Sequence, residues 1–138
     1  QDATNVAAML AADMELQGPS RVAWVEKNYL LDHNRSMPEI DAALLALDVH
    51  GGAGGVIPRQ RVVDAYRSFI RERKPMAGFV ATYLSDWKAW DAVPDYVEVL
   101  RSGAVKDPAS QFAIVVYLQD SHIAEAQAAA AAFTAKSN

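Results

Sequence analysis

Trp87-Lys88-Ala89-Trp90-Asp91-Ala92-Val93-Pro94-Asp95-Tyr96-Val97-Glu98-Val99-Leu100-Arg101-Ser102-Gly103, then Asp107-Pro108, then Gln111-Phe112-Ala113-Ile114-Val115-Val116-Tyr117-Leu118-Gln119-Asp120, decides the fold. It reads as two helices joined by a short turn. Asp91 stands where a cap opens the first helix, and Gly103 where a left-handed residue closes it. Asp107 followed by Pro108 pairs a cap with the residue best tolerated at the first helical position. The isoleucine and valines between Phe112 and Leu118 would also suit a buried strand. An internal echo argues for helix. Tyr29-Leu30-Leu31-Asp32, Tyr83-Leu84-Ser85-Asp86 and Tyr117-Leu118-Gln119-Asp120 share the pattern Tyr-Leu-x-Asp, and the last two lie 34 residues apart. Each of those two closes an apolar segment that follows a proline.

Prolines extend this reading outward. They fall at 19, 38, 58, 75, 94 and 108. Proline is excluded from a helix interior and accepted in its first turn, so the intervals predict one helix each. Asn5–Leu16 carries the stripe Val6, Met9, Leu10 and Met14. A second helix, capped by Ser20, carries Val22, Trp24, Val25, Tyr29 and Leu30. The helix opened by Pro38 has Ile40, Leu44, Leu45 and Leu47, and ends at the glycines 51–55. Residues 58–74 form the next, with Val62, Ala65, Tyr66, Phe69 and Ile70 inward. Pro75 starts another containing Tyr83 and Trp87, and an alanine-rich helix over 123–136 ends the chain.

Composition supports one all-α domain over residues 1–138, with seven or eight short antiparallel helices in an irregular array or compact bundle. The chain is 51% hydrophobic and 22% charged, with abundant alanine and 7 glycines. It has no cysteine, which excludes disulfides, thiol catalysis and cysteine-bound zinc. A net charge of −4 argues against a general nucleic-acid binder. No apolar run reaches the ~18 residues of a membrane span. Gln1 in place of methionine reads as a fragment, or as the mature end of an exported bacterial protein in the periplasm or outside; otherwise the chain belongs in the cytoplasm.

Asp91-Ala92-Val93-Pro94-Asp95-Tyr96-Val97-Glu98-Val99-Leu100, with the second helix after Asp107, resembles one HEAT-type helical repeat. Met37-Pro38-Glu39-Ile40-Asp41-Ala42-Ala43-Leu44-Leu45 is a fainter second copy. The resemblance implies a stack of helix pairs, an architecture that usually binds proteins or peptides. It brings no catalytic residues.

Little in the sequence carries chemistry. Gly51-Gly52-Ala53-Gly54-Gly55 before Pro58 suggests a loop in which Gly52, Gly54 and Gly55, with Arg59 and Arg61, hold an anion or phosphate compound. It lacks the Lys-Ser/Thr of a phosphate-binding loop. Segment 59–74 holds six basic residues against Asp64 and Glu72, a local charge of +4 in a chain of −4. Arg67, Arg71 and Lys74 follow helical spacing and offer a face to an acidic partner. Tyr83, Trp87 and Trp90 share another face, where Trp87 and Trp90 are candidate interface anchors. His33, His50 and His122 show no metal-ligand spacing; His50 with Asp48 or Asp64 is the remaining acid–base possibility. No cofactor is called for. The alanine helix, with Glu125 its isolated acid, is suited to close packing or to docking a partner. The expectation is a non-enzymatic protein-interaction module, with an anionic-ligand binder as the alternative.

Overall fold

All six prolines mark helix starts. Pro19 precedes α2 (Ser20–Val25), Pro38 lies in the first turn of α3 (Met37–Ala53), and the Pro58 carbonyl accepts the first bonds of α4 (Arg59–Glu72). Pro75 opens a 3-10 segment, Lys74–Val80, that leads into α5 (Ala81–Asp86). Pro94 and Pro108 begin α6 (Val93–Ser102) and α7 (Pro108–Asp120). With α1 (Ala3–Gln17) and α8 (Ala124–Ser137), eight α-helices account for the architecture. The computed structural model describes residues 3–137, and no strand occurs among them; Gln1, on which the export expectation rests, lies outside that range. The fold is all-α. The chain divides into two compact units, Gln1–Phe69 and Ile70–Asn138.

In the first unit α1 packs along α3. Val6, Ala7, Leu10 and Met14 are buried on α1, and Ala42, Ala43, Ala46 and Leu47 on α3. Helix α2 continues into a π-helical turn, Glu26–Leu30, closed by the Leu31 N–H to Glu26 carbonyl bond of 2.9 Å. Ser36 caps α3 through a reciprocal pair with Glu39: its hydroxyl accepts from the Glu39 N–H while the Glu39 carboxylate accepts from the Ser36 N–H. Tyr66 of α4 donates to the Leu44 carbonyl at 2.8 Å.

In the second unit α7 touches α5, α6, α8 and the 3-10 segment. Asp107 accepts from the Ser110 N–H, as its spacing before Pro108 predicts, and Gly103 ends α6 with φ +69°. The segment 112–118 is helical, so the echo prevails over the β-propensity of its valines. All three Tyr-Leu-x-Asp tetrapeptides fall at helix ends, and Leu30, Leu84 and Leu118 are fully buried. Two hydroxyls fix the non-helical backbone: Tyr96 donates to the Ala77 carbonyl at 2.7 Å and Tyr117 to Ala89 at 2.6 Å. At Gly78 a side chain would meet the Ser110 backbone at 2.9–3.0 Å, so only glycine lets the 3-10 segment lie this close to α7.

Several expectations need correction. Gly51, Gly52 and Ala53 belong to α3, and the left-handed cap is Gly54, at φ +66°. Gly51 is buried and its carbonyl accepts from Arg59, which holds the glycine turn helical despite a propensity cost of about 1 kcal/mol per glycine. Ser20 and Asp91 make no side-chain cap; Pro19 and Ala92 occupy those positions. Helix α4 stops at Glu72, which leaves Lys74 in the following 3-10 segment. Met9, Trp24 and Leu45 face solvent instead of the core. Tyr83, Trp87 and Trp90 do not share a face, because α5 ends at Asp86. There Lys88 adopts φ +52°, with the Ala89 N–H bonded to Leu84 and the Lys88 N–H to Ser85. That is a Schellman ending whose left-handed residue is lysine where glycine is usual.

Two outcomes test these packing arguments. Tyr96→Phe should cost about 0.5–1.5 kcal/mol in denaturant unfolding, because it removes the buried hydrogen bond to the Ala77 carbonyl. Burial, then Tyr117 and Asp95, push the Tyr96 phenol above its ordinary 10.0. Its contribution is therefore whole below pH 10 and falls as the unfolded chain ionises above it, so the variant should show a shallower alkaline loss of stability. Lys88→Gly should raise stability by up to about 1 kcal/mol by relieving the left-handed side chain, measured as a higher denaturation midpoint.

Candidate functional site

The basic residues of α4 are committed to internal bonds. The Arg59 Nε donates to the Gly51 carbonyl at 2.7 Å, and Arg61 pairs with Glu26 at 2.6 Å. In the second unit Arg71 reaches Asp95 at 3.3 Å, and the Asp95 side chain is only 7% exposed. Arg67 is half-buried and engaged as well, and Lys74, past the helix end, is half-buried. Lys74 falls outside α4, so the helical spacing covers Arg67 and Arg71 alone. Arginine serves instead as a staple: Arg59 covers the carbonyl end of α3, where cations are favoured.

The glycine segment closes α3. Gly52 lies in the last turn of α3 and Gly54 is its cap; both are exposed, as is Gly55. The last turn of a helix offers carbonyl oxygens, and N–H groups are offered by the first turn. The nearest guanidiniums, on Arg59 and Arg61, already hold Gly51 and Glu26.

Trp87 and Trp90 are half-buried. The Trp90 ring packs on Tyr117 at 5.2 Å, and Tyr117 meets Tyr96 edge-on at 5.0 Å, so Trp90 extends an aromatic cluster of the second unit. Trp87 is engaged too. His50 is buried, with Nε2 2.8 Å from the Ala11 carbonyl and Nδ1 3.8 Å from the Glu15 carboxylate. It joins α3 to α1. Among the described residues no three His, Cys, Asp or Glu side chains gather to hold a metal ion, and no helix is long and apolar enough to cross a membrane.

Two surface features were not anticipated. In the first unit, large aliphatic side chains point outward: Met9 and Leu16 on α1 are 52% and 85% exposed, and Leu45 and Val49 on α3 are 41% and 52% exposed. Met9 and Leu16 are seven residues apart and Leu45 and Val49 four, so each pair forms a stripe along its helix. Periodicity places Val6, Leu10 and Met14 of α1 and Ile40, Leu44 and Leu47 of α3 in the core as expected, and Met9 and Leu45 stand outside those stripes. In the second unit a cleft of about 390 Å³ opens between α6 and α8.

Removing the Arg71 guanidinium takes one cationic partner from the buried Asp95 carboxylate. Because Arg71 itself is half exposed, solvent screens the pair. Arg71→Ala should cost about 1–2 kcal/mol, and Arg71→Ala/Asp95→Asn less than the sum of the single changes, read from chemical denaturation in a double-mutant cycle.

Comparison with known protein families, with curated proteins and with solved structures finds no match to this chain, which leaves its own surfaces to carry the functional reading.

Proposed function

We propose that the protein is a non-enzymatic interaction module that binds another protein through the outward aliphatic stripes of α1 and α3. The observation that carries this is the exposure of Met9, Leu16, Leu45 and Val49 on two helices whose inward faces are already filled by Val6, Leu10, Met14, Ile40, Leu44 and Leu47. Apolar side chains beyond those the core uses, when they form a patch, mark association sites. Hydrophobic side chains at helical spacing suit a partner that presents an apolar helical face of its own.

The reading includes a HEAT-type helical repeat. Its support is the α6–α7 pair: each helix has a proline in its first turn, the connection spans residues 103–107, and α5 and α7 end in the same Tyr-Leu-x-Asp pattern. The partner-contact role assigned to Arg67, Arg71, Lys74, Trp87 and Trp90 predicts a different behaviour. A cationic contact weakens as salt is added, and an aliphatic one persists.

Leu16→Glu/Val49→Glu tests the assignment. Both side chains are exposed, so stability should change by no more than about 0.5 kcal/mol each. A partner cross-linked to the wild type in native extract, identified and then purified, should bind the double variant at least tenfold more weakly, with little dependence on salt. Equal affinity for the variant, together with a tenfold loss in Arg67→Glu at low salt, would move the site to the basic residues.

A further inference from the structure

The C-terminal helix is fastened by its smallest side chains. Ala126 and Ala130 are fully buried, but α8 offers no other fully buried side chain among the described residues. Beside that seam, Val97 and Leu100 of α6 face Ala129, Ala132 and Phe133 of α8 across a cleft of about 390 Å³. That lies in the range of about 300–1,000 Å³ typical of small-molecule sites, which combine apolar walls with a few polar groups. The lining runs along α8 from Glu125 to Lys136, eleven residues or about 16 Å at 1.5 Å per residue. The space is therefore long and apolar, shaped for a chain and not for a compact polar head.

Charge selects among chains. Three ionic side chains line the cleft: Arg101 in the last turn of α6, Lys136 in the last turn of α8, and Glu125 in the first turn of α8. None of them forms an ion pair within 4.0 Å among the described residues, and they leave a local excess of one positive charge. Lys136 and Glu125 stand at opposite ends of the trough. An anion has a favourable end, beside Lys136, while its hydrocarbon tail runs along the alanines. The alanine surface lets such a tail lie close against the helix.

We infer that the α6–α8 cleft binds a single-chain anionic amphiphile of the fatty-carboxylate class, with the carboxylate towards Lys136 and Arg101. The site lies in the second unit and is independent of the aliphatic stripes on α1 and α3.

The test uses the full chain, with dodecanoate below its micellar range and dodecyltrimethylammonium as the cationic counterpart, followed by amide chemical shifts. Dodecanoate should saturate shifts confined to residues 97–101 and 125–136. Arg101→Gln/Lys136→Gln should weaken binding at least tenfold while the melting temperature stays close to that of the wild type. Ala132→Trp, at an exposed position that lines the cleft, should abolish binding by filling the space. The proposal is overturned by absent binding at millimolar dodecanoate, by equal affinity for the cationic counterpart, or by shifts centred on α1 and α3. Closure of the cleft by a second copy, seen as dimer formation that Ala132→Trp prevents without any dodecanoate effect, overturns it as well.

Discussion

The second unit depends on two phenols. Between Arg73 and Ala92 the chain forms 3-10 turns, a six-residue helix and a left-handed lysine. Tyr96 and Tyr117, both fully buried, each send a hydroxyl into this stretch, to the Ala77 and Ala89 carbonyls, and their rings meet at 5.0 Å. Each such hydrogen bond contributes about 0.5–1.5 kcal/mol. The aromatic contact thus builds core and corrects irregular backbone together. The cluster also explains why Trp90 is held: its ring covers Tyr117 from outside.

The first unit follows a different economy. Its core combines large side chains, Leu10, Met14, Ile40, Leu44 and Leu47 among them, with the alanines 7, 42, 43 and 46, and the Tyr66 hydroxyl and the His50 ring are polar ties to α3. Buried apolar surface contributes about 25 cal/mol per Å². Met9, Leu16, Leu45 and Val49 lie largely outside that core. Arginines complete the frame. Arg21 lies over Trp24 and Arg35 over Tyr29, each at 3.9 Å, and each also pairs with a carboxylate, Asp13 or Glu39. Positive charge in this protein chiefly does structural work.

Local rules made the helix starts legible. Proline fixes φ and removes a donor, so its position restricts the backbone whatever surrounds it, and Asp107 caps α7 for equally local reasons. What could not be read depends on neighbours distant in sequence. Nothing marks Lys88 as a left-handed cap, since the usual signal is glycine. Conversely, five residues of glycine and alanine signal a loop, yet a bond from Arg59 keeps three of them helical. Gly78 carries no turn signature; its necessity comes from the Ser110 backbone, 32 residues further on. Periodicity found most of the inward faces of α1 and α3, but it ranks Met9 and Leu45 with their buried neighbours and passes over the buried alanines 7, 42, 43 and 46. The cleft joins α6 to a helix more than twenty residues away, and the two segments show no shared pattern.

The thin fastening of α8 has a kinetic meaning. A helix held by two alanines and a half-buried phenylalanine can leave its neighbours at a free energy well below that of global unfolding, and its backbone amides then exchange through this local opening and not through the unfolding of the unit. Residues 124–137 would form their own cooperative layer, docking last and departing first. Whatever occupies the space beside α6 would slow that departure, so occupancy would be recorded as the lifetime of a helix.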